Sequence, residues 1–289
     1  MTSLASTPVL FQRRVLNALF QALCGICAII AIAVLGYVLW FLFRQGITYF
    51  KPSFFTRLPD NVNPALGGIK HSILGSVNIL GIALSISIPI GILSGIYQAE
   101  ANGKLCQIVR FLTDVLNGIP SIVIGLFIYA IWILPYAQKH PGQGYSGIAG
   151  GAALGIMMIP LVMRTTDEML HLVPQSLWDA SLALGTPRWR TMLFVVLPSA
   201  RNGIVTGIML ALARVAGETA PLLFTVLGNE FLGPITGPVD ALPLRLYKYA
   251  TSSDPVQNAM AWSTALTLIL IILILSILAR FLTRAGKRS

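Results

Sequence analysis

The sequence predicts an all-α integral membrane protein of six transmembrane helices with both termini on the cytoplasmic side. Three observations predict it. Apolar residues make up 55% of the chain and charged ones only 10%, with mean hydropathy +0.78, where a soluble domain carries about 25% charged residues. Several apolar runs reach the ~20 residues needed to cross a bilayer. At those lengths helices are the only spanning element, and the ~10-residue alternating segments of a β-barrel are missing. Lys and Arg gather in tails and short loops beside the apolar runs, where they fix orientation. The formal charge of +10 therefore needs no nucleic-acid partner, because no soluble basic domain carries it.

The spans follow in order. The first covers 19–43, after Arg13-Arg14. Its apolar run is longer than a signal-peptide core and no convincing small-x-small cleavage site follows, so it reads as a retained helix. Cys24 and Cys27 share a face of it; with no second ligand pair they read as small packing residues rather than a metal site. The second span, 72–97, contains Pro89 and Gly91. The third, 111–135, opens on Asp114, Asn117, Pro120 and Ser121, polar or helix-weakening residues that serve either a pathway or an interfacial kink. The fourth, 145–163, carries Gly147, Gly150, Gly151 and Gly155, which let helices approach closely. The fifth and sixth cover 202–227 and 259–281. The connecting loops are Gly/Pro-rich, so residues 1–289 form one membrane domain. With the N-terminus inside, twelve basic residues fall inside, among them Lys287 and Arg288 in the C-terminal tail, and seven outside. That bias favours N-in, C-in.

The polar stretch 164–201 between the fourth and fifth spans is then a cytoplasmic elbow. Ser176 followed by Asp179 has capping-box spacing, and predicts a helix of about eight residues, ~12 Å long. Gly185 ends it as a C′ glycine. Thr186-Pro187 restarts a second helix as N-cap and first helical residue, and Pro198 breaks that helix near the membrane. A short capped helix with apolar Leu177, Trp178, Leu182 and Leu184 suits docking in a partner's groove. Packing on lipid headgroups is the plainer alternative.

Two charges fall within the fifth span. Arg214 and Glu218 lie ~18 and ~24 Å in from Asn202, and each costs about 2.5–3.5 kcal/mol at a helix centre. At i and i+4 they share a face and can pair, with Pro221 kinking the helix at Gly217. Either they form a structural ion pair, or Arg214 offers its planar cation to a passing oxyanion while Glu218 holds Arg214 in place and repels the anion enough to prevent a trap. Neither a metal cluster nor a catalytic triad is evident among the three histidines, and no phosphate-binding loop exists, so energy must come from a partner or a gradient.

The stretch Asp179-Ala180-Ser181-x-x-x-Gly185, ending in Val195-Val196-Leu197-Pro198, resembles the E-A-A-x3-G-x9-I-x-L-P loop of binding-protein-dependent ABC importers. Leu112–Phe127 and Ala213–Thr225 resemble the third and fifth helices of permease subunits of phosphate-specific (Pst) importers, as do Gly67-Gly68-Ile69, Pro89-x-Gly91 and Tyr97-x-x-Glu100 around the second. Of the two subunit types in that family, the short N-terminal tail and 289-residue length favour PstA over PstC. The resemblance implies a type I ABC importer permease fold in a bacterial inner membrane. It implies a homologous PstC-type permease, two PstB-type ATPase subunits that hold ATP and Mg, and a periplasmic PstS-type binding protein. On it, Arg214, Glu218, Thr219, Asn117 and Ser121 line the pathway, and Asp179, Ala180, Ser181, Leu182, Gly185, Pro187 and Pro198 dock the ATPase. The expected function is phosphate import without catalysis by this chain. Another oxyanion (molybdate, sulfate, phosphonate) or a gradient-driven transporter is the alternative.

Overall fold

The computed structural model describes residues 8–60, 62–101 and 103–285; Lys287 and Arg288 lie outside them. No strand occurs among the described residues. The helices are α1 (Pro8–Gly46), α2 (Pro52–Thr56), α3 (Lys70–Glu100), α4 (Lys104–Gly118), α5 (Ser121–Ile128), α6 (Leu134–Lys139), α7 (Gly147–His171), α8 (Gln175–Ala183), α9 (Arg188–Thr191), α10 (Leu197–Val215), α11 (Ala220–Thr225), α12 (Leu242–Ala250) and α13 (Pro255–Ala285). Six stretches are long and apolar enough to cross a membrane: Arg13–Tyr49, Lys70–Glu100, Ser121–Lys139, Gly147–His171, Arg188–Val215 and Pro255–Ala279.

α3 lies along α7 at the centre. Small residues set the distance: a Cβ on Gly91 would lie 2.7 Å from Val162 Cβ, and one on Gly151 2.6 Å from Ile82 Cβ. Ile79, Ala83, Leu154, Met158, Val162, Val215 and Leu222 form the main core with Leu244 of α12. α1 joins only near its end, where Ser263 Oγ donates to the Gly46 carbonyl at 2.7 Å and Phe41 meets Trp262 edge-on at 5.3 Å. Cys24 and Cys27 are exposed on α1 rather than packed, because that helix has no neighbour along most of its length in this chain.

Three stretches run differently from the pattern of apolar runs. The third span starts at Ser121, because Ile119, held extended before Pro120 (φ −71°, ψ 128°), ends α4. α4 is a separate helix whose Thr113 faces Met163 (Oγ1 to Sδ 3.1 Å) while Leu105, Ile108 and Phe111 are exposed. α7 continues eight residues past Met163, so the elbow begins only after His171. And α9 does not stop at Pro198. A π-turn at Met192–Val196 carries it into α10, its last bond running from Leu197 N–H to Met192 carbonyl. Proline follows at once, where the widened turn tolerates its missing N–H. The same device recurs at the π-turn Tyr129–Ile133: Leu134 N–H bonds Tyr129 carbonyl, and Pro135 follows.

Candidate transport and docking sites

The elbow is built on two proline caps. Ser176 was expected to start α8, but Pro174 does (φ −57°, ψ 134°), and its carbonyl accepts from Leu177 N–H at 3.0 Å. Proline's preset φ brings the helix start two residues earlier. Asp179 therefore sits mid-helix, exposed, accepting from Gln175 Nε2 at 3.4 Å, rather than in a capping box. At the far end Gly185 is left-handed (φ +79°); its N–H bonds Leu182 carbonyl at 2.9 Å and Thr186 N–H bonds Ser181 carbonyl at 3.4 Å. That pair is a Schellman closure. α9 then takes Pro187, not Thr186, as its cap, with Arg190 and Thr191 N–H on the Pro187 carbonyl (3.0 and 3.1 Å).

The expected docking residues divide by exposure. Asp179, Ala180, Gly185, Pro187 and Pro198 are exposed and Leu182 is half-buried. Ser181 is buried, and its hydroxyl meets that of Thr191 at 2.9 Å, tying α8 to α9. Around them Leu184 is 87% exposed, with Leu177, Trp189 and Phe194 also open. This leaves an apolar surface beside a rigid capped turn, open to a partner or to lipid headgroups.

In the spanning region the fifth stretch breaks where its charges lie. α10 ends at Val215, and Gly217 and Glu218 N–H turn back to the carbonyls of Arg214 (3.3 Å) and Val215 (3.1 Å). α11 resumes at Ala220. The helix therefore stops before Pro221 could kink it. Arg214 sits in the last turn of α10, where the helix dipole favours a cation. It is exposed, Glu218 and Thr219 are half-buried, and no ion pair or hydrogen bond joins Arg214 to Glu218. The intrahelical pair needed an unbroken helix, which is not there.

α11 lies against α5, with a Cβ on Gly125 reaching within 2.6 Å of Pro221 Cα. Both helices run towards the end where Ser146 N–H bonds Thr225 carbonyl (3.0 Å), so Ser121 lies about one turn before Gly125, level with the broken turn. Asn117 is not in that span; it is half-buried on α4, beyond the Pro120 break.

A third cluster is not among the sites expected from the sequence. At the end opposite the elbow, the loop between α11 and α12 delivers Asp240 into the interior. Ser72 Oγ donates to Asp240 Oδ2 at 2.7 Å and Arg245 Nε donates to the same oxygen at 2.6 Å. Arg245 Nη2 lies 2.6 Å from His71 Nε2. The same nitrogen lies 3.0 Å from Asp240 Oδ2, so one ring nitrogen faces both the guanidinium and the carboxylate. His71, Ser72, Asp240 and Arg245 are all at most 3% exposed. Burial alone would raise the Asp240 carboxyl, but the polar side chains of His71, Arg245 and Ser72 outweigh it and hold it below its ordinary value.

The family described as binding-protein-dependent transport system inner membrane component matches residues 87–288. The chain belongs to this family. Within the family it is similar to the phosphate transport system permease protein PstA of Pasteurella multocida, 42% identical over 93% of this chain and 94% of that one. PstA of Yersinia pestis is also 42% identical, over 88% and 86%. PstA 1 of Mycobacterium tuberculosis is 33% identical, over 97% and 93%. Among solved structures, the MetNI methionine ABC transporter (TM-score 0.53, 22% identity, 76% of this chain and 94% of that) and a bacterial alginate ABC importer (0.58, 13%, 89% and 95%) share the fold. The all-helical bundle of six spans is thus that of an ABC importer permease in the inner membrane.

Proposed function

We propose that this chain is the PstA-type permease subunit of an ATP-driven phosphate importer, with both termini in the cytoplasm. Identity of about two-fifths with phosphate permeases across nearly the whole chain carries the reading. The site supports it: Arg214, unpaired at a break in a spanning helix, is a planar cation with several donors, suited to an oxyanion. Glu218 and Thr219 follow in the turn and Ser121 stands at its level. Glu218 opposes deep trapping, as a path that must release its ion requires. Asn117 belongs to the cytoplasmic approach to this path. A PstC-type permease supplies the other half, a PstS-type protein delivers phosphate, and two PstB-type subunits bind ATP and Mg and hydrolyse the ATP.

Uptake of labelled phosphate by the reconstituted complex tests this. ATP-dependent phosphate uptake exceeding that of sulfate and molybdate is expected; preference for another anion, or uptake driven by a gradient without ATP, overturns it.

The elbow, on this reading, receives the ATPase. A Cβ at Gly185 meets no atom of this chain within 4 Å beyond its chain neighbours, so Gly185→Ala carries only the left-handed backbone cost of about 1–2 kcal/mol. Gly185→Glu adds bulk and charge to the docking face. We expect the Ala variant to co-purify with the ATPase and the Glu variant to lose it or its stimulated hydrolysis. Equal behaviour of the two would refute the docking role.

A further inference from the structure

The loop from α11 to α12 leaves the broken turn through only six helical residues and folds back onto one buried cation. It pivots on Leu227 and Gly228, both left-handed (φ 62° and 80°). Leucine rarely adopts that region, so the pivot is held by its surroundings rather than by local preference. Those surroundings are a bridge from Leu227 to Val239, and Asn229 Nδ2 donating to the Pro238 carbonyl at 3.2 Å.

Arg245 has two carboxylates of this loop within reach. Asp240 is buried and bonded at 2.6 Å, whereas Glu230 is 40% exposed with Oε1 3.8 Å from Nη1. Between them Nη2 points towards the Asn229 carbonyl at 3.4 Å. The buried side is incompletely satisfied: Asp240 Oδ1 and His71 Nδ1 are enclosed without a hydrogen-bond partner. One guanidinium with five donors therefore stands between a short, imperfect buried contact and a longer one nearer solvent.

We propose that Arg245 and Glu230 are positioning residues for transport. The guanidinium exchanges between Asp240 and Glu230, and the loop swings on Leu227–Gly228 as it does so. Because the loop continues directly from α11, each station sets the height of Glu218 and Thr219. A static clamp would need only Asp240; the exchange needs Glu230.

Glu230→Gln tests this in the intact importer, with thermal unfolding of the variant read beside uptake. The maximal uptake rate should fall about tenfold with half-saturating phosphate and complex assembly unchanged, and Glu230→Asp should recover at least half the rate. A surface ion pair with no second role predicts uptake within about twofold of wild type, and that result overturns the proposal. The proposal rests on the import reading, so a second measurement is independent of cargo. Spin labels at Leu232→Cys and Tyr247→Cys, both exposed positions, are placed in a chain with Cys24, Cys27 and Cys106 replaced by Ser. Two label distances are expected with the charge at residue 230 intact and one in Glu230→Gln. A single distance in both, or two in both, overturns it whatever anion is carried.

Discussion

An importer carrying Arg214→Gln is expected to purify intact and to take up phosphate roughly 10- to 150-fold more slowly. That range corresponds to the 1.5–3 kcal/mol of a hydrogen bond to a charged group. Nothing in the fold rests on this guanidinium: it is exposed and makes no contact with Glu218. Replacing an unpaired cation in a spanning segment by a neutral side chain should relieve part of the charge's insertion cost, about 2.5–3.5 kcal/mol at a helix centre, rather than add to it. Stability and transport should therefore move in opposite directions. Arg214→Lys keeps the charge but loses the planar fork, and should fall between. Unimpaired uptake by Arg214→Gln removes the anion role; a chain that no longer folds makes the charge structural after all.

Asp240→Ala is expected to have the largest effect on stability, about 3–5 kcal/mol, because it removes the buried carboxylate and leaves the interior Arg245 only its longer contact to Glu230. Replacing both partners, as Asp240→Leu with Arg245→Met, should recover most of the loss, since a buried pair exchanged for apolar groups of similar volume is often neutral. Thermal unfolding in detergent reads both. The acid side follows from the lowered Asp240 carboxyl: its contribution is complete above the ordinary carboxylate range and is lost as pH falls through the lower native value. Unfolding midpoints between pH 5 and 8 should therefore be flat in this respect, with the loss confined below pH ~4. A double variant no more stable than Asp240→Ala would show that Arg245 is not the group left stranded.

Legibility in the sequence followed locality. Apolar runs revealed six spans because span length is a property of contiguous residues. Gly185 was readable as a helix end because only glycine adopts its φ cheaply. The caps were misplaced by one or two residues since Ser176 and Thr186 are good capping side chains, yet Pro174 and Pro187 stand next to them with φ already set. Pro198 looked like a breaker because a one-residue widening of the helix leaves no mark in composition. The broken turn was readable as a weak point at Gly217 and Pro221, but not that the helix would stop before Glu218 and part it from Arg214. The Asp240 cluster could not be found locally at all: Ser72 and Asp240 are 168 residues apart, and His71 and Arg245 174. Its one trace was an acid in a Gly/Pro-rich loop with an arginine five residues later.

The widened turn at Met192–Val196 also acts as a buffer. A turn closed i→i+5 takes up one more residue than the i→i+4 turns on either side of it. The surplus is absorbed where it sits, so the helix that carries Arg214 to the break leaves the elbow on nearly the bearing that regular α-turns would give it. A one-residue deletion within 192–196 should narrow the turn and leave both ends as they are. The same deletion inside α10 would turn everything after it by about 100° and swing Arg214 away from its place at the break.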